Sequence, residues 1–428
     1  MKRNAQYHKN VIILGGGACG LLAGITAGRT GASVAILEHN ARVGKKILAT
    51  GNGRCNLTNL ALDPAAYHCG NAEVLTQVLG RFSVEDTLNF FHEIGVLTTE
   101  KNGWVYPVSN QATTVLDALR FELNHLHNVT VITDYTAERI EKRDNGFIVH
   151  GAVTEKGTLP ETYRGDTLIV AVGGLASPKS GSDGSAYPLI KSLGHRFRSQ
   201  VPGLTGLRCA EDYFKSIAGV RAQGRVTLWV DDTSVAQEQG EIQFTNSGIS
   251  GIPVFQICRT ASYGVKEKAK VRVTLDLFPE KERDWLKDEL TRRIQRFGSR
   301  TVEELLCGFL HKKLIFALCK LSGLQPSSSV LRADEASWNR FLDYMKALPA
   351  TIIESQGFEN AQVTAGGILL EDVRAKDLSS IEVEGLYFAG EVLDIDGPCG
   401  GYNLQWAWSS GYVTGKAAAE RSLHDSRS

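Results

Sequence analysis

The feature that most constrains this chain is a glycine pattern set between two strands. Val11 to Leu14 is a short apolar run, and Gly15, Gly17 and Gly20 follow it directly in G-x-G-x-x-G spacing. Small residues then read as a helix, and Ser33 to Leu37 reads as a second strand ending on Glu38. Each part has a physical task. Gly15 permits a tight turn, and Gly17 lets a pyrophosphate approach the backbone. Gly20, with Ala23, Gly24 and Ala27, lets the helix lie close on a sheet. The helix N-terminus offers unpaired N–H groups and a partial positive charge to phosphate. Glu38, eighteen residues after Gly20, is spaced to accept hydrogen bonds from ribose hydroxyls. A plain glycine turn between a buried strand and a packed helix would not need the acid at that distance. The unit therefore predicts a bound dinucleotide. Glu38 favours a free 2′-hydroxyl, hence FAD or NAD over NADP.

At 428 residues the chain is too long for one core, so two or three domains are expected. It carries 47 basic and 47 acidic residues, which leaves no electrostatic footprint for nucleic acid or an anionic membrane. The polar start MKRNAQYHKN lacks the apolar run of a secretory signal. No apolar run is long enough to span a bilayer. Leu305 to Leu324 comes nearest, but His311, Lys312, Lys313 and Lys320 break it into buried amphipathic helix. A cytoplasmic protein is expected, without membrane or nucleic-acid partners. The eight cysteines form no C-x-x-C pair and share no metal-like spacing with histidine. Reduced structural thiols and no metal site are the reading.

Strand and helix patterns divide the rest. Val129–Thr133, Ala137–Lys142 and Gly146–Val153 read as a three-stranded layer, turning at Asp144-Asn-Gly146. Thr167–Val172 is an apolar strand ending at Gly173-Gly174. From 191 to 277 short alternating strands suggest a β-rich, barrel-like insert, and 278–352 turns helical. Apolar strand character returns at Gly385–Ala389, before a last helix, Tyr402–Glu420. The expected architecture is α/β. A discontinuous nucleotide domain, 1–190 plus 353–428, surrounds the two inserted units.

Two further segments carry chemistry. The first runs from Leu386 to Gly411, where strand, tight turn and acids lead into Gly400-Gly401 and a helix. A helix opening on two glycines lets a flat ring lie against backbone amides, where its dipole stabilises negative charge. Glu391 can bond hydroxyls of a ribityl chain. A surface turn before an amphipathic helix, with Trp406 and Trp408 as packing residues, is the competing account. The second is the loop 44–59, where Lys45, Lys46 and Arg54 can reach phosphates. Thr50, Asn52 and Asn56 can bond ring edges there, and Gly51 and Gly53 permit close approach of a planar ring. An ordinary mobile loop is the alternative. Cys399 offers a thiol beside the proposed ring, or a small filler. Tyr106 and Tyr402 offer phenols to a substrate carbonyl, or aromatic packing. His39 lines the adenosine side or solvent.

These motifs carry a family resemblance. GNGRCNLTN at 51–59, AVGG at 171–174, GEIQFTNSGISG at 240–251, TAGG at 364–367 and AGEVLDIDGPCGGYNLQWAWSSG at 389–411 resemble the HI0933-like flavoproteins, also called the BaiN or YhiN type. Members are described as NAD(P)/FAD-dependent oxidoreductases or aminoacetone oxidase-like FAD enzymes. The resemblance implies a glutathione-reductase-type, Rossmann-like FAD domain with an inserted β-barrel and a helical subdomain. It implies that Gly15, Gly17, Gly20 and Glu38 hold the ADP half of a non-covalent FAD. Lys46, Gly51, Asn52, Arg54, Asn56 and Gly173 would lie near the cofactor. Glu391, Asn403 and Leu404 would meet its ribityl–isoalloxazine half, and Ala18, Cys19, His39, Cys55, Gly390, Gly401 and Tyr402 are further candidates for cofactor contact. No second G-x-G-x-x-G follows, since the glycines at 173–184 lack its spacing, helix and acid. Nicotinamide would therefore dock only transiently. The expected activity is hydride transfer between flavin and a small organic substrate. The favoured form is NAD(P)H-dependent reduction of an unsaturated or keto compound, like a bile-acid enone. The alternatives are a peroxide-forming oxidase of a small amine, a flavin-dependent RNA modifier and a non-catalytic FAD sensor.

Overall fold

The computed structural model describes residues 8–153 and 162–425; the first seven residues of the polar start lie outside them. The chain forms two compact units. One contains the residues up to Gln200 and from Gln362 onward, and the other is Val201–Ala361.

The first unit opens with β1 (His8–Leu14), α1 (Ala18–Arg29), β2 (Val34–Leu37) and β3 (Thr58–Asn59). α2 (Ala72–Arg81), α3 (Val84–Glu93), β4 (Thr98–Lys101), β5 (Trp104–Pro107) and α4 (Ala112–His125) follow. β6 (Val129–Ile132), β7 (Tyr135–Arg143), β8 (Gly146–Val153) and β9 (Thr162–Val170) complete its first part. The main sheet runs β6-β2-β1-β9-β8-β7. β1 pairs in parallel with β2 on one side and β9 on the other, Leu14 standing opposite Leu37 and Val170. The central parallel segments Val11–Leu14, Val34–Leu37 and Leu168–Val170 are buried on both sides, so they are apolar at every position rather than alternating. Val11, Ile13, Val34, Ile36 and Ile169 enter one core; Ile12, Leu14, Leu37, Leu168 and Val170 enter the other. Each such side chain contributes about 1.5–3 kcal/mol on burial.

The three-stranded layer expected from 129 to 153 does not form as one piece. β6 emerges from the crossover helix α4 and pairs in parallel with β2 at the far edge. Asp134, in the left-handed region at φ 56°, then turns the chain away. Only β7 and β8 make the hairpin about Asp144-Asn-Gly146, and β8 joins β9.

The second unit is a closed barrel with helices. Its elements are β10 (Leu207–Cys209), β11 (Arg221–Val230), β12 (Thr233–Thr245), β13 (Gly248–Ser250), α5 (Ile252–Lys266) and β14 (Val271–Asp276). Then come α6 (Arg283–Phe297), α7 (Val302–Leu306), α8 (Lys312–Ser322), α9 (Glu335–Ala347) and β15 (Leu348–Ser355). The barrel order is β10-β13-β12-β11-β14-β15, closed by β15 pairing with β10. Divisions at 277 and 352 were expected, but barrel and helices share one core. Val226, Leu228, Phe244 and Val273 of the barrel lie in one cluster with Leu286, Leu305, Leu318 and Phe341 of the helices. β15 follows α9 without an intervening residue, so no turn signal separates helical from strand periodicity.

The chain returns to the first unit with β16 (Leu386–Phe388), which extends the sheet beside Leu168–Val170 of β9. The long final helix is α10 (Tyr402–Asp425). α10 lies backbone-close to α1. A Cβ at Gly411 would stand 2.5 Å from the Cys19 carbonyl oxygen, and one at Gly415 would stand 2.4 Å from that of Ala23. The small residues of α1 thus serve two neighbours, since a Cβ at Gly24 would meet Ile36 of the sheet at 2.5 Å. Among the described residues no helix is long and apolar enough to cross a membrane.

Candidate functional site

The expected site residues of the first unit gather where parallel strands end. Gly15 follows β1, Glu38 follows β2, Gly173 follows β9 and Gly390 follows β16. The chain leaves β1 toward β2 on one side and returns to β9 on the other. Open α/β sheets bind ligands at such a switch point, outside the carboxyl ends of the strands.

Gly17 caps α1 with no side chain, and the first turn holds no acid. A Cβ at Gly17 would meet nothing within 4 Å, so open space lies beside the start of α1. Gly20 is sealed against the turn, where a Cβ would stand 1.9 Å from the Gly15 carbonyl oxygen. Ala18 and Cys19 form the start of α1. The Cys19 thiol points into the packing with α10, 3.9 Å from the Ser410 hydroxyl. Burial pushes it up to about 12, with the Ser410 contact opposing. Glu38 is buried, and its Oε2 accepts from the Gly16 N–H at 2.8 Å. Its Oε1 accepts from the Asn40 backbone N–H at 2.8 Å and the Asn40 amide at 2.7 Å. His39 places Nδ1 4.0 Å from the same carboxylate, and its ring lies against Gly181.

A second cluster joins β9, the loop 44–59 and the turn after β16. Lys46 Nζ donates to Glu391 Oε2 at 2.6 Å, while Glu391 Oε1 accepts from the Thr364 N–H at 2.8 Å. Thr364 Oγ1 accepts from the N–H groups of Leu175 and Ala176, at 2.7 and 2.9 Å. A Cβ on Gly174 would collide with Thr364 and crowd Glu391, so the 173–176 turn lies flush on this cluster. Gly173 and Gly390 both take left-handed backbone, at φ 73° and 78°. Thr364 lay in the TAGG stretch and Asn40 beside Glu38, but neither had a role assigned from sequence. Their partners are distant in the chain: Thr364 meets Leu175, 189 residues away, and Asn40 donates its amide to the Ser180 carbonyl, 140 residues away, at 3.2 Å.

The third cluster sets the start of α10. Gly400 and Gly401 precede it at φ 113° and 94°, and its first turn holds no acid. A Cβ on Gly401 would stand 2.5 Å from the Thr58 backbone. Asn56 fixes this approach: with its amide turned to suit its neighbours, it donates to Val105 and Thr58 carbonyls and accepts from the Gly401 N–H. Its side chain therefore holds protein backbone on all sides. Asn403 likewise closes on Gly397, accepting from its N–H at 2.9 Å and donating to its carbonyl at 2.7 Å. Tyr402 is buried, its hydroxyl accepting from the Asp63 N–H at 3.2 Å, and Leu404 is half-buried beside it. Trp406 and Trp408 are packing residues with indole N–H bonds to the Gly390 and Leu57 carbonyls. Behind the turn, fully buried Gln405 accepts from Thr58 Oγ1 at 2.6 Å and donates to Thr87 Oγ1 at 2.8 Å and Ser409 Oγ at 3.0 Å. As the one polar residue within Leu404–Trp408, it carried a sequence signal.

In the loop, Gly51 and Asn52 are left-handed at φ 56° and 55°, and Asn52 is exposed. Cys55 is buried and pushed up to about 12 by that burial. Arg54 stands apart from the other cations, exposed, with its guanidinium carbon 5.6 Å from the Tyr106 ring centre. No group of acids, histidines and cysteines among the described residues could hold a metal ion.

The chain is similar to known proteins over nearly its whole length. Over 411 residues the chain is 40% identical to a 3-dehydro-bile acid delta(4,6)-reductase of Clostridium scindens, covering 96% of this chain and 98% of that one. Over 412 residues it is 28% identical to a ribosomal RNA dihydrouridine synthase of Haemophilus influenzae, covering 96% and 98%. A quinol–fumarate reductase solved with menaquinol shares the fold at TM-score 0.54 and 14% identity, over 98% of this chain and 72% of that one. The class is that of FAD-dependent oxidoreductases built on a Rossmann-like FAD-binding fold. Within it, the chain belongs to the HI0933-like family, whose Rossmann-domain description matches residues 9–417.

Proposed function

We propose that this protein reduces a carbon–carbon double bond conjugated to a carbonyl in a small ring compound, with NAD(P)H as electron donor. The observation that carries this reading is the 40% identity, over nearly both whole chains, to a bile-acid enone reductase. Non-covalently bound FAD would supply two-electron hydride chemistry. The chain's residues bind and orient. The open first turn of α1 takes the pyrophosphate, and Ala18, Cys19 and Gly20 contribute N–H groups to it. A carboxylate has about four acceptor positions, of which Glu38 uses three, so one is left for a ribose hydroxyl. Glu391, held by Lys46 and Thr364, presents its remaining lone pairs to the ribityl chain. The start of α10 offers the N–H groups of Tyr402, Asn403 and Leu404, and a positive dipole end, to negative charge developing on the ring.

A second reading rests on the 28% relative named for ribosomal RNA. The uracil double bond is also conjugated to a carbonyl, so the same flavin chemistry serves both acceptors. The balanced charge of this chain supports the small substrate. The deciding measurement is anaerobic. The FAD-loaded enzyme is bleached with NADH or NADPH, then offered a 3-oxo-delta(4,6) steroid acid or a uridine-containing ribosomal RNA fragment. Rapid return of flavin absorbance with the steroid is the expected result. Return with the RNA alone moves the second reading ahead. Bleaching by neither nucleotide would sink the donor assignment.

A further inference from the structure

The small sheet β3-β5-β4 carries a face that none of the bonds above accounts for. Residues directly opposite in a sheet share a face, and so do residues two apart in a strand. Lys101 stands opposite Trp104, Thr99 opposite Tyr106, and Asn59 opposite Trp104. Asn59, Lys101, Trp104, Thr99 and Tyr106 therefore line one surface. At one end that surface meets the glycine turn before α10. Asn59 donates its amide to the Gly400 carbonyl at 2.9 Å, and a Cβ on Gly400 would stand 2.9 Å from the Trp104 indole. At the other end Arg54 lies over Tyr106, and a cavity of about 530 Å³ opens, lined by Arg54, Thr99, Glu100, Lys101, Tyr106 and Asn110. Neither Arg54 nor Lys101 makes an ion pair among the described residues. Glu100, the acid present, is turned to its own hairpin, accepting from the Gly103 N–H. Asn102 and Gly103, at φ 55° and 83°, make the two-residue turn that fixes the register of this hairpin.

We propose that this face is a subsite for the anionic end of a ring-bodied ligand. Tyr106 would take the ring against its face, and Arg54 and Lys101 would hold a carboxylate or phosphate. The reducible or reducing part would then point along Trp104 toward Gly400. This rests on the reductase reading and names its ligand chemistry. An acidic ring substrate and the phosphates of a nicotinamide donor both present that chemistry. Burial raises the Tyr106 hydroxyl, with Arg54 opposing, so it remains a neutral donor.

The test is equilibrium dialysis of the FAD-loaded enzyme with 2-naphthoate and with 2-naphthamide, which share the ring and differ in the charged group. Wild type should bind the acid about tenfold more tightly, the scale of a charge-assisted hydrogen bond. Arg54→Met with Lys101→Met should erase that preference. Lys101→Met alone, on an exposed hairpin, should reduce it about threefold with the fold intact by circular dichroism. Equal binding of acid and amide by wild type would overturn the proposal, as would a preference that survives in the double variant. The half-reactions then assign the source. A raised KM for NADPH in flavin bleaching marks the donor, and a raised KM for an acidic enone in flavin reoxidation marks the substrate. If both keep their constants, the site does not serve the reaction and the proposal falls. Dialysis needs no turnover, so failure of the enone reading would show separately, as acid preference without enone reduction.

Discussion

Cys19 and Cys55 sit in the two motifs nearest the cofactor cradle, yet both thiols are turned into packing and pushed up to about 12 by burial. An unfolded-chain thiol ionises near about 8.5. A thiol whose folded value is raised favours the folded state fully below the unfolded value. That contribution is lost as pH rises from about 8.5 through about 12, because unfolding then releases a proton. The urea midpoint is therefore expected to fall between pH 8 and pH 10, and Cys19→Ala with Cys55→Ala should make that fall smaller. An equal fall in the double variant would assign the alkaline loss to other groups. These two residues also mark a limit of sequence reading. G-x-G-x-x-G and GNGRCN specify where backbone N–H groups and glycines must be. They say little about which way an intervening side chain points, because that depends on α10, nearly four hundred residues away for Cys19.

At the scale of elements, the start of α10 is where sequence and long-range packing meet. Gly400-Gly401 and the helix after them were legible, because a glycine pair before a periodic run is a local signal. The brace behind them was not. Gln405 joins β3, the N-terminal end of α3 and the next turn of α10 through Thr58, Thr87 and Ser409, partners up to 347 residues distant. Gln405→Leu leaves the buried Thr58 hydroxyl without its acceptor, while the Thr87 and Ser409 hydroxyls keep the Ser83 and Phe82 carbonyls. A cost of about 1–3 kcal/mol is expected, from the desolvation of one unsatisfied group. If the brace also fixes the amides proposed to meet the flavin ring, FAD binding should weaken by about tenfold, the equivalent of about 1.4 kcal/mol. Urea unfolding and fluorescence titration with FAD read the two effects separately. Lost stability with unchanged FAD affinity would make Gln405 a purely structural residue. Misplaced strands have the same physical origin as the hidden brace. β6 and β15 are short and locally unremarkable, and their pairing partners, β2 in one case and β14 and β10 in the other, are decided by the crossover helix and by barrel closure.

At the scale of the whole molecule, the two units have separate cores. Among the described residues, no buried apolar residue of the barrel cluster is shared with the two clusters that flank the parallel sheet. The residues proposed to hold FAD belong to the unit containing β1 and α10. A ligand that binds one folded unit stabilises that unit alone, by RT ln(1 + [L]/Kd), about 2.7 kcal/mol at a hundred times Kd. Calorimetry of the FAD-free chain should therefore show two transitions, and FAD should raise one of them. Tryptophan substitution can identify which. Trp406 and Trp408 report the sheet unit, and Trp229, Trp285 and Trp338 report the barrel unit. Replacing the latter three with phenylalanine should leave a fluorescence transition that moves with FAD; replacing Trp104, Trp406 and Trp408 should leave one that does not. A single transition raised as a whole by FAD would mean that the units unfold together. The barrel would then contribute to cofactor retention.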